Sequence, residues 1–240
     1  MKTRHLLRMV LLLPIIAFTA PILAEDQAQE GPIYVPPDID GQPDRLVGGA
    51  SRSDTLTPRL TVLSPPTLGL TSHPQPVLYW FLSQDIATPI RLVIMNVADR
   101  LDLDRQPPLL ELQLERVRAG IHRLALAEHG IALQAGTRYD WSIEFAWSPP
   151  AGSEARGDVQ PVQVMSRSTL LYQPARTELA AQVSSAAADA RPAIYARAGY
   201  WYDSLATLQD LIEQMPREPR YLDWRRSLFQ QAALERFVSP

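Results

Sequence analysis

The chain has 240 residues, 46% hydrophobic and 20% charged, which is enough apolar material for one large domain or two small ones. It contains no Cys, which excludes disulfides, thiolate metal sites, iron–sulfur clusters, Cys nucleophiles and a Cys-borne lipid anchor. The formal net charge is −3, and Lys2 is the only lysine, so a chain that loses its first residues has none for a Schiff base or a phosphate loop.

Residues 1–24 read as a signal peptide. Lys2, Arg4 and Arg8 make a basic start, an apolar run covers 9–18, and Ala24 precedes Glu25 and Asp26. The stretch 9–24 holds Pro14 and Pro21 and falls short of the ~20 residues that span a bilayer, so no stable membrane span is expected after cleavage. Cleavage after Ala24 leaves 20 basic against 26 acidic residues, a net charge of −6. No basic stripe then remains for nucleic acid. The expected location is a bacterial periplasm.

Residues 25–57 read as an irregular tether, with Pro32, Pro36, Pro37 and Pro43 and a loop signal at Gly48 and Gly49. From 58 to 170 short apolar runs alternate with turn residues. Strands are predicted at 59–63, 77–82, 90–97, 109–115, 121–127, 138–147 and 162–167, a pattern that suggests a β-sandwich. Leu110, Leu112 and Leu114 alternate with Glu111, Gln113 and Glu115. Tyr139, Trp141, Ile143, Phe145 and Trp147 alternate with polar residues in the same way, so each strand has one face turned inward. Pro65, Pro66, Pro74 and Pro76 make 64–76 a long loop or sheet edge. From 175 to 238 the chain is predicted to be helical. Trp201, Leu205, Leu208, Leu211, Ile212 and Met215 share one helical face, Gly199 breaks two helices, and a further helix follows Pro219.

The chemical signals are weak. Asp99, Asp102 and Asp104 lack the Gly and the distal Glu of a calcium loop, and Arg100 and Arg105 neutralise them. Residues 49–53 lack the second Gly of a nucleophile elbow. His73, His122 and His129 have no metal-binding spacing, and His122 is expected on or beside a strand with a local partner. No metal site, cofactor or catalytic residue is expected. Of the strand tryptophans only Trp80 has a phase that could face out. Tyr202, Tyr221, Trp224 and Arg225 belong to a dense aromatic and basic set in the helices, and residues of these types concentrate at protein interfaces.

Leu133, Gly136 and Tyr139, each three residues apart, resemble the tyrosine corner of immunoglobulin-like sandwiches, in which the Tyr hydroxyl bonds the backbone upstream. Tyr195, Gly199, Trp201, Ser204, Leu205, Leu208, Leu211, Ile212 and Pro216 resemble the second half of a tetratricopeptide unit, although Arg191 and Pro192 replace the Leu-Gly pair expected earlier. There is room for about one and a half units, too few for a free solenoid, so the helices are expected to pack on the sandwich. Residues 48–52, 60–70, 136–141 and 196–208 together resemble an uncharacterised bacterial family known as domain of unknown function 928. That resemblance implies an exported protein and carries over no catalytic residue.

The sequence therefore predicts an α+β chain, mainly β. An immunoglobulin-like β-sandwich is followed by a tetratricopeptide-like helical segment. The expected role is that of a non-enzymatic envelope adaptor that engages a protein partner through the helical face around Tyr202, Tyr221, Trp224 and Arg225. The alternatives are a carbohydrate-binding module built on exposed sheet aromatics, or a hydrolase with a site built from scattered acids or His residues, which two acids or an acid and a His converging in a deep pocket would reveal.

Overall fold

The computed structural model describes residues 31–39, 46–48, 57–98, 107–149 and 160–235. Its strands are β1 (Leu46–Gly48), β2 (Leu60–Val62), β3 (Gly69–Thr71), β4 (Val77–Leu82), β5 (Ile90–Asn96), β6 (Leu110–Leu114), β7 (Gly120–Ala125), β8 (Arg138–Trp147) and β9 (Val162–Tyr172). The helices are α1 (Thr177–Ser185), α2 (Arg191–Arg197), α3 (Trp201–Gln214) and α4 (Pro219–Gln231). Strand and helix contribute comparable lengths, so the chain is a mixed α+β protein rather than a mainly β one. The leader at 1–24 lies outside the described residues, as do the acidic loop at Asp99, Asp102 and Asp104 and the Gly-Ser stretch at 49–53.

Two sheets form. The larger runs β1-β9-β8-β5-β6, and β3 adds to β9 in parallel; the smaller runs β2-β4-β7. Period-two patterning is what fixes the register. Along β8, Tyr139, Trp141, Ile143, Phe145 and Trp147 are all buried, as their alternation predicts. The Tyr139 hydroxyl accepts a hydrogen bond from the Gln134 amide at 2.9 Å, the upstream bond that the tyrosine-corner resemblance implies. β6 departs from expectation. Its alternating leucines are only half buried, because β6 is the last strand of its sheet.

The helices share the core of the sheets: Leu78, Trp80, Ile94 and Trp141 belong to the same buried cluster as Trp201, Leu205, Leu208, Tyr221, Leu228 and Phe229. Met215 departs from the inward face predicted for it, because it follows the last turn of α3 and is 42% exposed. Gly199 makes the turn from α2 into α3 at φ 83°, where a Cβ is strained, and its Cα side faces the Val35 carbonyl.

The proline-rich stretch ahead of the sheets also contributes to packing. Residues 31–39 lie extended against the helices. The Val35 amide donates to the Ala196 carbonyl at 3.1 Å. Gln231 of α4 accepts from the Tyr34 amide at 2.7 Å and donates to the Pro32 carbonyl at 3.1 Å. The Tyr34 ring meets Trp201 edge-on at 5.0 Å between centroids. An extended segment that satisfies its amides on helix groups needs no sheet partner.

β3 passes very close to α3. A Cβ on Gly69 would stand 2.6 Å from the Tyr202 ring carbon Cε2. The ring is buried and cannot swing away, so Gly69→Ala should cost about 1–3 kcal/mol by overpacking. A urea midpoint unchanged from wild type would show that the ring gives way instead.

Candidate functional site

The first turn of α3 is the point where the three parts of the fold meet. Trp201, Tyr202 and Asp203 are consecutive, and at about 100° per residue their side chains leave the helix in three directions. The Trp201 indole N–H donates to the Leu63 carbonyl, just past β2, at 2.9 Å. The Tyr202 hydroxyl accepts from the Trp141 indole N–H of β8 at 3.1 Å. Asp203 receives the loop after β3. Its Oδ2 accepts from the Ser72 amide at 2.9 Å, and its Oδ1 accepts from the Ser72 hydroxyl at 2.8 Å. Oδ1 also makes a very short contact with His73 Nδ1.

The Asp203 side chain is 2% exposed and that of His73 60%. The bond to Asp203, reinforced by its charge, holds the His73 pKa above its ordinary value against the opposing effect of burial. A cleft of about 240 Å³ opens here, lined by His73, Tyr195, Tyr202, Asp203, Thr207 and Asp210 among others.

An acid and a His therefore do converge, and the arrangement can be compared with a nucleophilic triad. In a triad the hydroxyl bonds the imidazole nitrogen that faces away from the carboxylate. Here the Ser72 hydroxyl donates to the carboxylate itself and lies 3.1 Å from Nδ1, the same nitrogen that faces Asp203. The arrangement therefore differs from a triad, because one imidazole nitrogen faces both the carboxylate and the hydroxyl, and the ring is largely exposed to water. The cluster is built to clamp the 71–76 loop onto α3. Acceptors near a helix N-terminus also complement its dipole.

The sequence-predicted interface residues divide by burial. Tyr202 and Tyr221 are each 1% exposed, so neither is presented to a partner. This corrects the expectation of an open face at Tyr202: its ring faces β3 at Gly69 and β8 at Trp141, which cover it. Trp224 and Arg225 are half buried. The Trp224 ring meets Tyr221 edge-on at 5.4 Å, and the Arg220 guanidinium lies 5.7 Å from the centre of the Trp224 ring. Arg225 donates to Gln209 Oε1 at 3.1 Å, and burial lowers its pKa.

Trp80 is also corrected. It is 2% exposed, and His122 stacks on it at 4.3 Å. His122 lies on β7 with its Nε2 bonded to the Arg118 carbonyl at 2.8 Å, as the sequence predicts. None of the exposed large apolar residues among those described is aromatic. Among the described residues no group of three or more His, Asp or Glu could hold a metal ion, and no helix is long and apolar enough to cross a membrane.

Sequence reasoning missed the Ser72–His73–Asp203 cluster. Ser72 and Asp203 stand 131 residues apart, and a lone His beside a Pro carries no periodic or spacing signal. A buried Asp in the first turn of an apolar helix was the one available hint.

The family model described as Domain of Unknown Function (DUF928) matches residues 47–240, from β1 to beyond α4. The chain belongs to that family. No curated protein and no solved structure matches it.

Proposed function

We propose that the protein is a non-enzymatic binding protein, exported to the bacterial periplasm, that engages an envelope protein through the outer face of α4. In this reading the β part is an immunoglobulin-like sandwich. The separate β2-β4-β7 sheet, the parallel β3–β9 pair and the Tyr139–Gln134 bond support it. The packed pair α2 and α3 around Gly199 supports the tetratricopeptide-like reading of the helices.

The observation that carries the adaptor reading is the surface of α4. Leu222 is 37% exposed and lies one turn before Arg225 and Arg226 on the same side of the helix, while the half-buried Trp224 occupies the other flank with Arg220. An exposed Leu with Arg one turn away is of the residue types found at interfaces. Arg226 pairs with Asp223, and Arg220 lies near Asp189 and Glu218, so the face is of mixed charge around Leu222. The non-enzymatic part of the reading draws on the clamp geometry at Asp203, in which the Ser72 hydroxyl donates to the carboxylate and not to the far nitrogen of the imidazole.

Leu222→Glu tests the proposal. The side chain is exposed, so stability should stay within about 0.5 kcal/mol of wild type. Retention of the partner should fall about tenfold or more. Unchanged retention by a folded Leu222→Glu protein would contradict the α4 face.

A further inference from the structure

The two sheets differ in width, and among the described residues the difference leaves one strand uncovered. The smaller sheet ends at β7 and the larger at β6, and neither strand has a neighbour on its outer edge among the described residues. The inward face of β6 is Leu110, Leu112 and Leu114, and all three remain half exposed although they pack against the core. Between the two free edges lies an open slot of about 820 Å³. Trp80, Leu92 and Leu124 form its floor, and Leu112 and Leu114 one wall.

One end of the slot is closed by the 115–119 connection. The Ile86 amide pins it by donating to the Val117 carbonyl, and Asp85 Oδ1 pins it by accepting from the Ala119 amide, both at 2.8 Å. Arg116 and Arg118 project from this connection, exposed and without an ion pair to any described residue. Arg116 is held at φ 54°, an uncommon conformation for a residue with a Cβ.

We propose that this slot takes an extended peptide segment of a partner protein, which pairs with the free edge of β7, turns alternate apolar side chains onto Leu112 and Leu114, and places a carboxylate at Arg116 and Arg118. A strand added to β7 lies about 4.8 Å from it, in the position that covers β6. Edge pairing supplies affinity through the main chain, and the period of two supplies specificity. A simple alkyl anion would fill the slot but leave the outer amides of β7 without a strand partner. This surface is separate from α4, so the proposal stands or falls independently of the adaptor reading.

The test is selection of a displayed random-peptide library on the full-length protein, with synthetic copies of the enriched peptides then examined by amide hydrogen exchange. Enriched peptides should alternate apolar residues and carry Asp or Glu at one end. The best of them should slow exchange along β7, and a proline at its centre should abolish binding. The exposed pair Arg116→Ala/Arg118→Ala should weaken it about tenfold or more with an unchanged melting temperature, and Leu112→Glu should remove binding where that variant folds. No enrichment, enrichment without alternation, or protection of α4 in place of β7 would overturn the proposal. So would saturation of the slot by dodecanoate with no peptide selected. Concentration-dependent protection of β7 without any peptide would assign the edge to a second copy instead.

Discussion

Tyr202→Ala should destabilise the protein by about 3–5 kcal/mol, the cost of removing a large aromatic from a filled core. Tyr202 is 1% exposed, and its ring lies so close to β3 that Gly69 has no room for a Cβ. Its hydroxyl is also the acceptor for the buried Trp141 N–H. Tyr202→Phe keeps the ring and removes that acceptor, so it should cost about 1–3 kcal/mol for the stranded donor. Domain stabilities are about 5–15 kcal/mol, so the Ala variant sits near the edge of folding. Urea midpoints of both variants check this. A Tyr202→Ala protein within about 0.5 kcal/mol of wild type would place the residue at the surface, where the sequence pattern expects it.

Asp203→Ala should cost about 3 kcal/mol. Net bonds to a charged acceptor are worth about 1.5–3 kcal/mol each, and Asp203 accepts from the Ser72 amide, the Ser72 hydroxyl and His73. The Ser72 hydroxyl and His73 can turn to water, which keeps the total well below the sum. Asp203→Asn retains a carbonyl acceptor and should cost less.

The same substitution should alter the pH profile. The folded-state pKa of His73 is raised, chiefly by its bond to Asp203. A raised His pKa contributes stability that is fully present below the unfolded value of about 6.5 and is lost as pH rises through the folded value. Wild-type stability should therefore decline as pH rises above about 6.5, and Asp203→Ala and Asp203→Asn should both flatten that decline. Because the His73 side chain is 60% exposed, solvent screening keeps the amplitude small, below about 1 kcal/mol. A decline of wild-type size in Asp203→Asn would assign it to another group.

Much of the fold was legible because periodicity reports burial directly. The alternation from Tyr139 to Trp147 placed β8 and its inward face, and the tyrosine-corner resemblance at Leu133, Gly136 and Tyr139 implied the hydrogen bond that pins its start. Gly199 and Pro219 marked helix boundaries through backbone chemistry alone. Tyr202 was misplaced for a physical reason. A single amphipathic stripe predicts one buried face, whereas the first turn of α3 is enclosed on three sides by β2, β3 and β8. The strand residues that surround Tyr202 are more than 60 positions away from it, as Trp141 is, so local pattern carries no trace of them. Trp80 was left with an outward phase because β4 is buried on both faces and period two then says nothing. The parallel pairing of β3 with β9 and the packing of 31–39 on the helices are long-range facts of the same kind.

The central claim is that the exposed face of α4 meets a protein partner while Tyr202 belongs to the core. The direct measurement is photo-crosslinking in intact cells, with the photoreactive residue at position 222 in one strain and at the exposed position 109 in a control. The account predicts one discrete protein adduct at 222 that is absent at 109 and lost when Arg226→Glu is added. A folded, exported protein that gives no adduct at 222, or the same adduct at both positions, would contradict it.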